Sequence, residues 1–236
     1  MSLPIAVLAG GLATRLGEES ARVPKVLVDV AGRPFAEHQL ELLRSHGVRD
    51  VVYCVGHLGE MVRETLGDGS RWGMRFDYAF DGPHARGTGG ALLAALPRLG
   101  SAFFVLYGDS YLNCNYRAVA DAFAASRQPG LMTVFKNDDA HDRSNVEFEA
   151  GRIVRYDKQQ RTPRMHHIDY GLGVLTAAAF APWQGTEAAF DLAAVYQALV
   201  ARGALAGFEV LERFYEIGSP SGLAETRALL TSRGDR

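Results

Sequence analysis

Cysteine is scarce in this 236-residue chain, which has only Cys54 and Cys114. Two such residues make neither a disulfide framework nor a thiolate metal cluster, and so low a count fits a reducing cytoplasm. Long apolar runs are missing as well. No stretch reaches the roughly 18 residues that a membrane-crossing helix needs, and the N-terminus lacks the basic and apolar regions of a secretory leader. There is no basic excess either: 25 Lys+Arg stand against 27 Asp+Glu, a net charge of −2. That balance argues against nucleic acid as the main partner. Repeats, low-complexity tracts and linkers are also absent. What remains is a globular composition, 47% apolar and 22% charged, with enough chain for one sizeable core.

Apolar runs and helical patterns alternate in the first half. Strands are expected at Ile5–Leu8, Val26–Val30, Val51–Val55, Met74–Ala79 and Ala102–Tyr107. Helices are expected at Pro34–His46, Leu58–Leu66 and Gly89–Leu96. The first helix sets Leu40, Leu42 and Leu43 against polar Glu37, Gln39, Glu41 and Arg44, a 3.6-residue period. Pro97 closes the third, because proline cannot continue a helix. Such alternation predicts an α/β fold, a Rossmann-like three-layer αβα with a mostly parallel central sheet. After a helix at Ala118–Ser126 the pattern changes to short strands at Leu131–Phe135, Val146–Glu149, Arg152–Tyr156 and Ile168–Leu175, which predict a small β-rich lobe. A helix at Phe190–Arg202, strands around Gly207–Leu211 and Tyr215–Ile217, and a last helix capped by Ser219 with Pro220 at its first position complete the chain. One domain over 1–236 is expected, with one half at about 1–115 and the other at about 116–236.

Three sites carry chemistry. Gly10 and Gly11 follow the first strand, and without Cβ atoms they let backbone N–H groups approach a ligand closely. Arg15 and Lys25 follow on the same segment; a guanidinium can hold phosphate oxygens bidentately, and an ammonium acts as a point charge. The segment is neither G-x-G-x-x-G nor G-x-x-x-x-G-K-[ST], which excludes the dinucleotide and P-loop readings. Asp109 ends an apolar strand after Gly108, where a carboxylate can hold Mg²⁺ whose other ligands are water and phosphate oxygens.

These motifs together resemble the sugar-1-phosphate nucleotidyltransferases. The residues that carry the resemblance are L-A-G-G-x-x-T-R-L from Leu8, Pro24-Lys25, G-T-G-G-A at 87–91 and V-L-Y-G-D at 105–109. Tyr156-Asp157-Lys158, Ile168-Asp169-Tyr170-Gly171 and Tyr215-Glu216-Ile217-Gly218 are similar to later family blocks in the same order, and the heptose- and mannose-1-phosphate guanylyltransferase branch is the nearest in pattern. The resemblance implies an enzyme joining a nucleoside triphosphate to a sugar 1-phosphate, with Mg²⁺, in nucleotide-sugar and polysaccharide biosynthesis. It implies that backbone at Leu8, Ala9, Gly10 and Gly11 holds the nucleotide and that Gly87, Thr88, Gly89 and Gly90 line the base pocket. Arg15 would steady the leaving pyrophosphate, and Lys25 would meet the α-phosphate. Asp109 and Glu216 would hold the metal and Lys158 the phosphate of the incoming sugar, while Asp157 and Asp169 would take its hydroxyls beside Asn145 and Gly171. Proteins of this kind are commonly homodimers.

The sequence departs from the family pattern in three places. Glu18-Glu19-Ser20 replaces P-x-T, as in some cytidylyl members. Glu216 stands for the usual Asp, and Ser144-Asn145 for Y-G beside the sugar. Uridylyl or cytidylyl transfer, a non-sugar phosphate or phosphonate acceptor, and a non-catalytic nucleotide-sugar-binding regulatory subunit therefore stay open. His166-His167 are strand neighbours facing opposite ways, which disfavours a shared metal. Trp72 and Tyr78 read as packing residues, and Arg161 and Arg164 form a basic cluster with Lys158.

Overall fold

In a computed structural model, residues 3–12 and 22–234 are described. Arg15 and Glu18-Glu19-Ser20 lie outside the described residues. The strands are β1 Ile5–Leu8, β2 Asp29–Val30, β3 Arg33–Pro34, β4 Asp50–Val55, β5 Arg75–Phe80, β6 Ala102–Tyr107, β7 Ser110–Tyr111, β8 Gly130–Lys136, β9 Val146–Glu149, β10 Arg152–Tyr156, β11 His167–Thr176, β12 Leu205–Val210 and β13 Tyr215–Glu216. The helices are α1 Phe35–Ser45, α2 Gly59–Leu66, α3 Gly87–Leu99, α4 Tyr116–Ser126, α5 Leu192–Ala201 and α6 Pro220–Gly234. No described helix is long and apolar enough to cross a membrane.

Nine strands form one sheet in the order β5-β4-β1-β6-β11-β8-β12-β10-β9, with β9 also reaching β11. Pairing is parallel across β5-β4-β1-β6 and between β8 and β12. The other neighbours are antiparallel, so the sheet is mixed rather than mostly parallel. Local connection explains the change. Ala150 and Gly151, both at positive φ, close a tight β9–β10 hairpin, which forces antiparallel pairing. These short strands extend the main sheet.

Side-chain alternation along the central strands splits the core. Ile5 and Val7, Val51, Tyr53 and Val55, and Phe104 and Leu106 face Leu40 and Leu43 of α1, Val62 of α2 and Val119 of α4. Their neighbours Ala6, Val52, Cys54, Phe103 and Val105 face Leu92 and Ala95 of α3 and Val195 and Leu199 of α5. The period of two is what a sheet covered on both faces demands. A third cluster joins Val28, Val30, Phe35 and Leu42 to Ile217 and to Leu230 of α6.

Three expected elements differ. Val26–Val30 is not one strand. Both edges of β1 are already taken by β4 and β6, so the segment turns through a 3-10 helix at Lys25–Leu27 and tucks Val26, Val28 and Val30 inward. The third helix runs past Pro97 to Leu99. Proline in the last turn sacrifices one hydrogen bond there, and burial of Leu99 at 1% exposure anchors the end. Gln39 is buried rather than on a polar face; its Nε2 donates to Ser110 O at 2.7 Å.

The α3 N-terminus is docked on the segment before α5. Gly89 N–H donates to Phe190 O at 2.9 Å, and Leu192 N–H donates to Thr88 Oγ1 at 2.8 Å. A Cβ on Gly87, at φ +70, would lie 2.5 Å from Phe190 O, and one on Gly89 would overlap the Phe190 ring. Gly89→Ala is expected to cost about 1–3 kcal/mol by overpacking, measured by urea unfolding. An unchanged midpoint would show that the Phe190 ring can move aside freely.

His38 is buried in the α1 junction. Arg33 Nη2 can only donate, so His38 Nδ1 accepts from it at 3.0 Å and Nε2–H donates to Val30 O at 2.7 Å. The ring is therefore neutral, and burial holds its pKa below the ordinary 6.5. The unfolded chain binds this proton more readily, so the contribution is complete above about pH 6.5 and is lost as pH falls through the folded value. Asp81 and Asp169, whose carboxyls burial pushes up, act with the opposite sign, so the prediction concerns a difference. The stability lost between about pH 7.5 and about pH 5.5 should be smaller in His38→Gln than in the wild type. Equal losses would remove His38 from the acid limb.

Candidate functional site

The order β5-β4-β1-β6 reverses direction beside β1, and such switch points open a crevice at the carboxyl ends of the strands. Residues 8–11 leave β1 there, and Tyr107-Gly108-Asp109 leave β6. Ala9 N–H still donates to Cys54 O at 2.8 Å and Gly108 N–H to Leu8 O at 3.0 Å, so the strands stay zipped up to the crevice. A cavity of about 330 Å³ lies above them, bounded by Leu8, Ala9, Gly10, Gly11, Gly87 and Thr88 together with Asp81. Gly89 and Gly90 do not line it. Their N–H groups go to Phe190 O instead, which corrects the expectation that all four residues at 87–90 face a base.

A second cavity of about 620 Å³ adjoins the first, and Lys25, Tyr107 and Asp109 belong to both. Lys25 reaches this seam because Lys25 N–H donates to Gly11 O at 3.1 Å. Its ammonium then donates to Asp109 Oδ2 at 3.0 Å, with the two side chains 21% and 30% exposed. Gln39, whose role the sequence pattern missed, holds the 107–110 turn from below.

The second cavity takes Asn145, Lys158, Asp169, Gly171 and Glu216 in its wall. The Lys158 ammonium lies 5.6 Å from the Tyr107 ring centroid and 5.9 Å from that of Tyr156, a placement favourable to a cation. Asp169 accepts from the Tyr156 hydroxyl and from Gly171 N–H, both at 3.1 Å. Burial pushes its carboxyl up against the opposing pull of Lys158. Asn145 Oδ1 accepts from Asp169 N–H at 3.0 Å, so this residue braces the strand that carries Asp169. Ser144 is fully buried and organises its own loop through Asn137 and Asp139.

Asp157 is not brought into either cavity. Its Oδ1 accepts from the N–H groups of Gln159 and Gln160 at 2.9 and 2.8 Å, an Asx turn that spends it locally. Arg161 and Arg164 pair with Asp139 and Glu147. His166 and His167 turn to Asp138 and Glu209 respectively. Trp72 packs on Phe76, and Tyr78 stacks on Tyr53. Arg213, which pairs with Glu225, joins the second cavity without any signal in the sequence pattern. Burial pushes the Cys54 thiol up to about 12, so this lining residue is no thiolate nucleophile.

Fit to a divalent cation can be tested on the donor set. Asp109 and Glu216 flank Gly218: a Cβ built there would be 3.2 Å from Asp109 Oδ2 and 2.8 Å from Glu216 Oε2. Glu216 already accepts from the N–H groups of Gly218 and Ser219 and from the Ser219 hydroxyl. A carboxylate offers about four acceptor sites, so capacity remains on both groups. Mg²⁺ needs only one or two carboxylates beside phosphates and water, and the residues fit it. Among the described residues, no group of three or more His, Cys, Asp or Glu could hold a metal.

Known proteins are similar to this chain in sequence or fold. Over 105 residues, 44% of the chain, the sequence is 46% identical to the CMP-5'-(3-aminopropyl)phosphonate synthase of Streptomyces rubellomurinus, covering 16% of that protein. Over 91% of the chain it is 26% identical to the mannose-1-phosphate guanylyltransferase catalytic subunit beta of Xenopus tropicalis, covering 61% of it. The chain thus spans less than two thirds of the length of these curated relatives. HddC from Yersinia pseudotuberculosis, complexed with GMP-PN, shares the fold with a TM-score of 0.79 at 20% identity, covering 97% of this chain and 99% of that one. The model of the MobA-like NTP transferase domain matches residues 5–167, and the chain belongs to that family.

Proposed function

We propose that this protein joins a nucleoside triphosphate to a sugar 1-phosphate, forming a nucleotide-sugar and pyrophosphate. The observation that carries this reading is the seam, where two adjoining cavities share Lys25, Tyr107 and Asp109. The first cavity takes the triphosphate along the glycine-bearing backbone. The second takes the acceptor, with Lys158 for its phosphate and Asp169 for its hydroxyls.

The phosphate oxygen of the acceptor is already ionised at neutral pH, so no general base is required. It attacks the α-phosphorus in line, a new P–O bond forms, and the bond to the β-phosphate bridging oxygen breaks with its electron pair leaving on pyrophosphate. Two anions must meet, and the protein's task is positioning plus neutralisation of charge. Lys25 lies at the seam where charge builds on the α-phosphate, and Arg15 is assigned to the leaving group. Asp109 and Glu216 would hold Mg²⁺, which supplies neutralisation of phosphate oxygens when bound. GTP with heptose- or mannose-1-phosphate is the pair we favour. A second reading, cytidylyl transfer to a phosphonate, is supported by the 46% identity to the CMP-phosphonate synthase and by Glu18-Glu19-Ser20.

Pyrophosphate release, assayed with Mg²⁺ across a matrix of triphosphates against sugar 1-phosphates and a phosphonate, tests this directly. No turnover with any pair by folded protein would sink the enzyme reading, and nucleotide-sugar binding without pyrophosphate exchange would favour a regulatory subunit. Lys25→Ala should lower kcat/KM by about 10²–10³, or roughly 3–4 kcal/mol. A loss below about threefold would take Lys25 out of the chemistry.

A further inference from the structure

Lys158 is held differently from the other cations of the two cavities. Lys25 donates to Asp109, and Arg213 pairs with Glu225. Among the described residues the Lys158 ammonium makes no hydrogen bond and no ion pair, and Asp169 feels its charge only through space. What lies against it is aromatic, with the Tyr107 ring centroid at 5.6 Å and that of Tyr156 at 5.9 Å. Its main chain is placed separately, because Asp157 pins the amides of Gln159 and Gln160 on either side of a short turn. The turn sets where the side chain starts, and the two rings set where it ends.

A carboxylate partner would occupy N–H groups of the ammonium. The face of a ring attracts the charge as a whole and leaves those groups free, and a lysine has three donors to offer phosphate oxygens. Of the two rings, Tyr107 is the one whose hydroxyl holds nothing. It ends β6 in register with Leu8, and its main-chain oxygen accepts from Gln39 Nε2 at 3.4 Å. Its side chain walls both cavities, yet its hydroxyl is buried and has no hydrogen-bond partner among the described residues. Burial also pushes that phenol well above its ordinary range, so it is no acid or base for the reaction. The Tyr156 hydroxyl, by contrast, is committed to Asp169 at 3.1 Å. What Tyr107 brings to the seam is therefore its ring.

We propose that Tyr107 is a positioning residue, whose ring face holds the Lys158 ammonium with its N–H groups free for the phosphate or phosphonate of the acceptor. This rests on reading the second cavity as the acceptor site. It holds whichever base the nucleotide carries.

Calorimetric binding of three probes, mannose 1-phosphate, glucose 1-phosphate and 3-aminopropylphosphonate, tests it. The titrations contain Mg²⁺ and the α,β-methylene analogue of GTP or CTP, so no turnover intervenes. Tyr107→Phe should bind the tightest probe within about twofold of the wild type, because the lost hydroxyl is unpaired. Tyr107→Leu should weaken binding about three- to tenfold, through lost attraction and a side chain left to order itself on binding. Pentafluorophenylalanine installed at position 107 keeps the shape of the ring but removes the negative potential of its face. It should resemble the leucine variant, a loss that packing alone would not produce. Binding to the fluorinated protein within about twofold of Tyr107→Phe would overturn the proposal, even if Tyr107→Leu fails to fold. A loss in folded Tyr107→Phe as large as in Tyr107→Leu would overturn it too, by assigning the effect to the hydroxyl. No binding of any probe to folded wild type would instead refute the acceptor site itself, and this role with it.

Discussion

Parallel pairing of β1 with β4 on one flank and β6 on the other is the constraint from which the site follows. Leu8 is registered with Cys54 on one side and Tyr107 on the other. A strand so enclosed must be apolar throughout, and Ile5 to Leu8 are. It also has no free edge, so the chain beyond it can leave only at the carboxyl end, into the crevice. Every later feature inherits that exit. The return at Lys25 is tied to Gly11 by a main-chain hydrogen bond, and Val26 is buried in the core behind it. The ammonium then has one place to go, opposite the carboxylate that ends β6. Burial of each large apolar side chain on these strands contributes about 1.5–3 kcal/mol.

Three cations of the cleft lie beside carboxylates. Lys25 meets Asp109, Lys158 lies near Asp169, and Arg213 meets Glu225. These groups are only partly withdrawn from water, so the pairs add little to stability. Their effect is on placement. A long cationic side chain that must order itself on binding pays rotamer entropy at that moment. A carboxylate neighbour, or the faces of Tyr107 and Tyr156 for Lys158, holds it near its position in advance.

Legibility from sequence followed whether a residue's role was local. Ile5–Leu8, Ala102–Tyr107, Val146–Glu149 and Arg152–Tyr156 were readable to the residue, because their apolar pattern and flanking turns carry the information. Lys25, Asp109, Lys158 and Asp169 were picked out as chemistry-bearing residues, and the structure places all four around the paired cavities. What depended on partners distant in sequence was not readable. Val26–Val30 has strand composition, but no strand edge was free to receive it. The glycines at 89 and 90 read as ligand backbone, yet Phe190, a hundred residues away, claims their N–H groups. Asp157 matched a family block, yet its own following amides use it. Asp81 sits in no motif at all; only the end of β5 beside β4 makes it a wall of the cavity.

Glu216 shows how one methylene can alter the balance of a site. It reaches the N–H groups of Gly218 and Ser219 and the Ser219 hydroxyl, and Ser219 in turn accepts from Gly222 N–H in the first turn of α6. A carboxylate is favourable at that position, both as an acceptor for orphan amides and against the helix dipole. The same group lines the second cavity across Gly218 from Asp109. Glu216 therefore combines two duties, capping a helix and presenting oxygen to the seam. Helix α6 is itself anchored through Leu230 to Val28 and Val30, just beyond the Lys25 turn. The segment that follows Lys25 and the residue that follows Glu216 thus meet in one apolar cluster, through Val28 and Val30 on one side and Ile217 on the other.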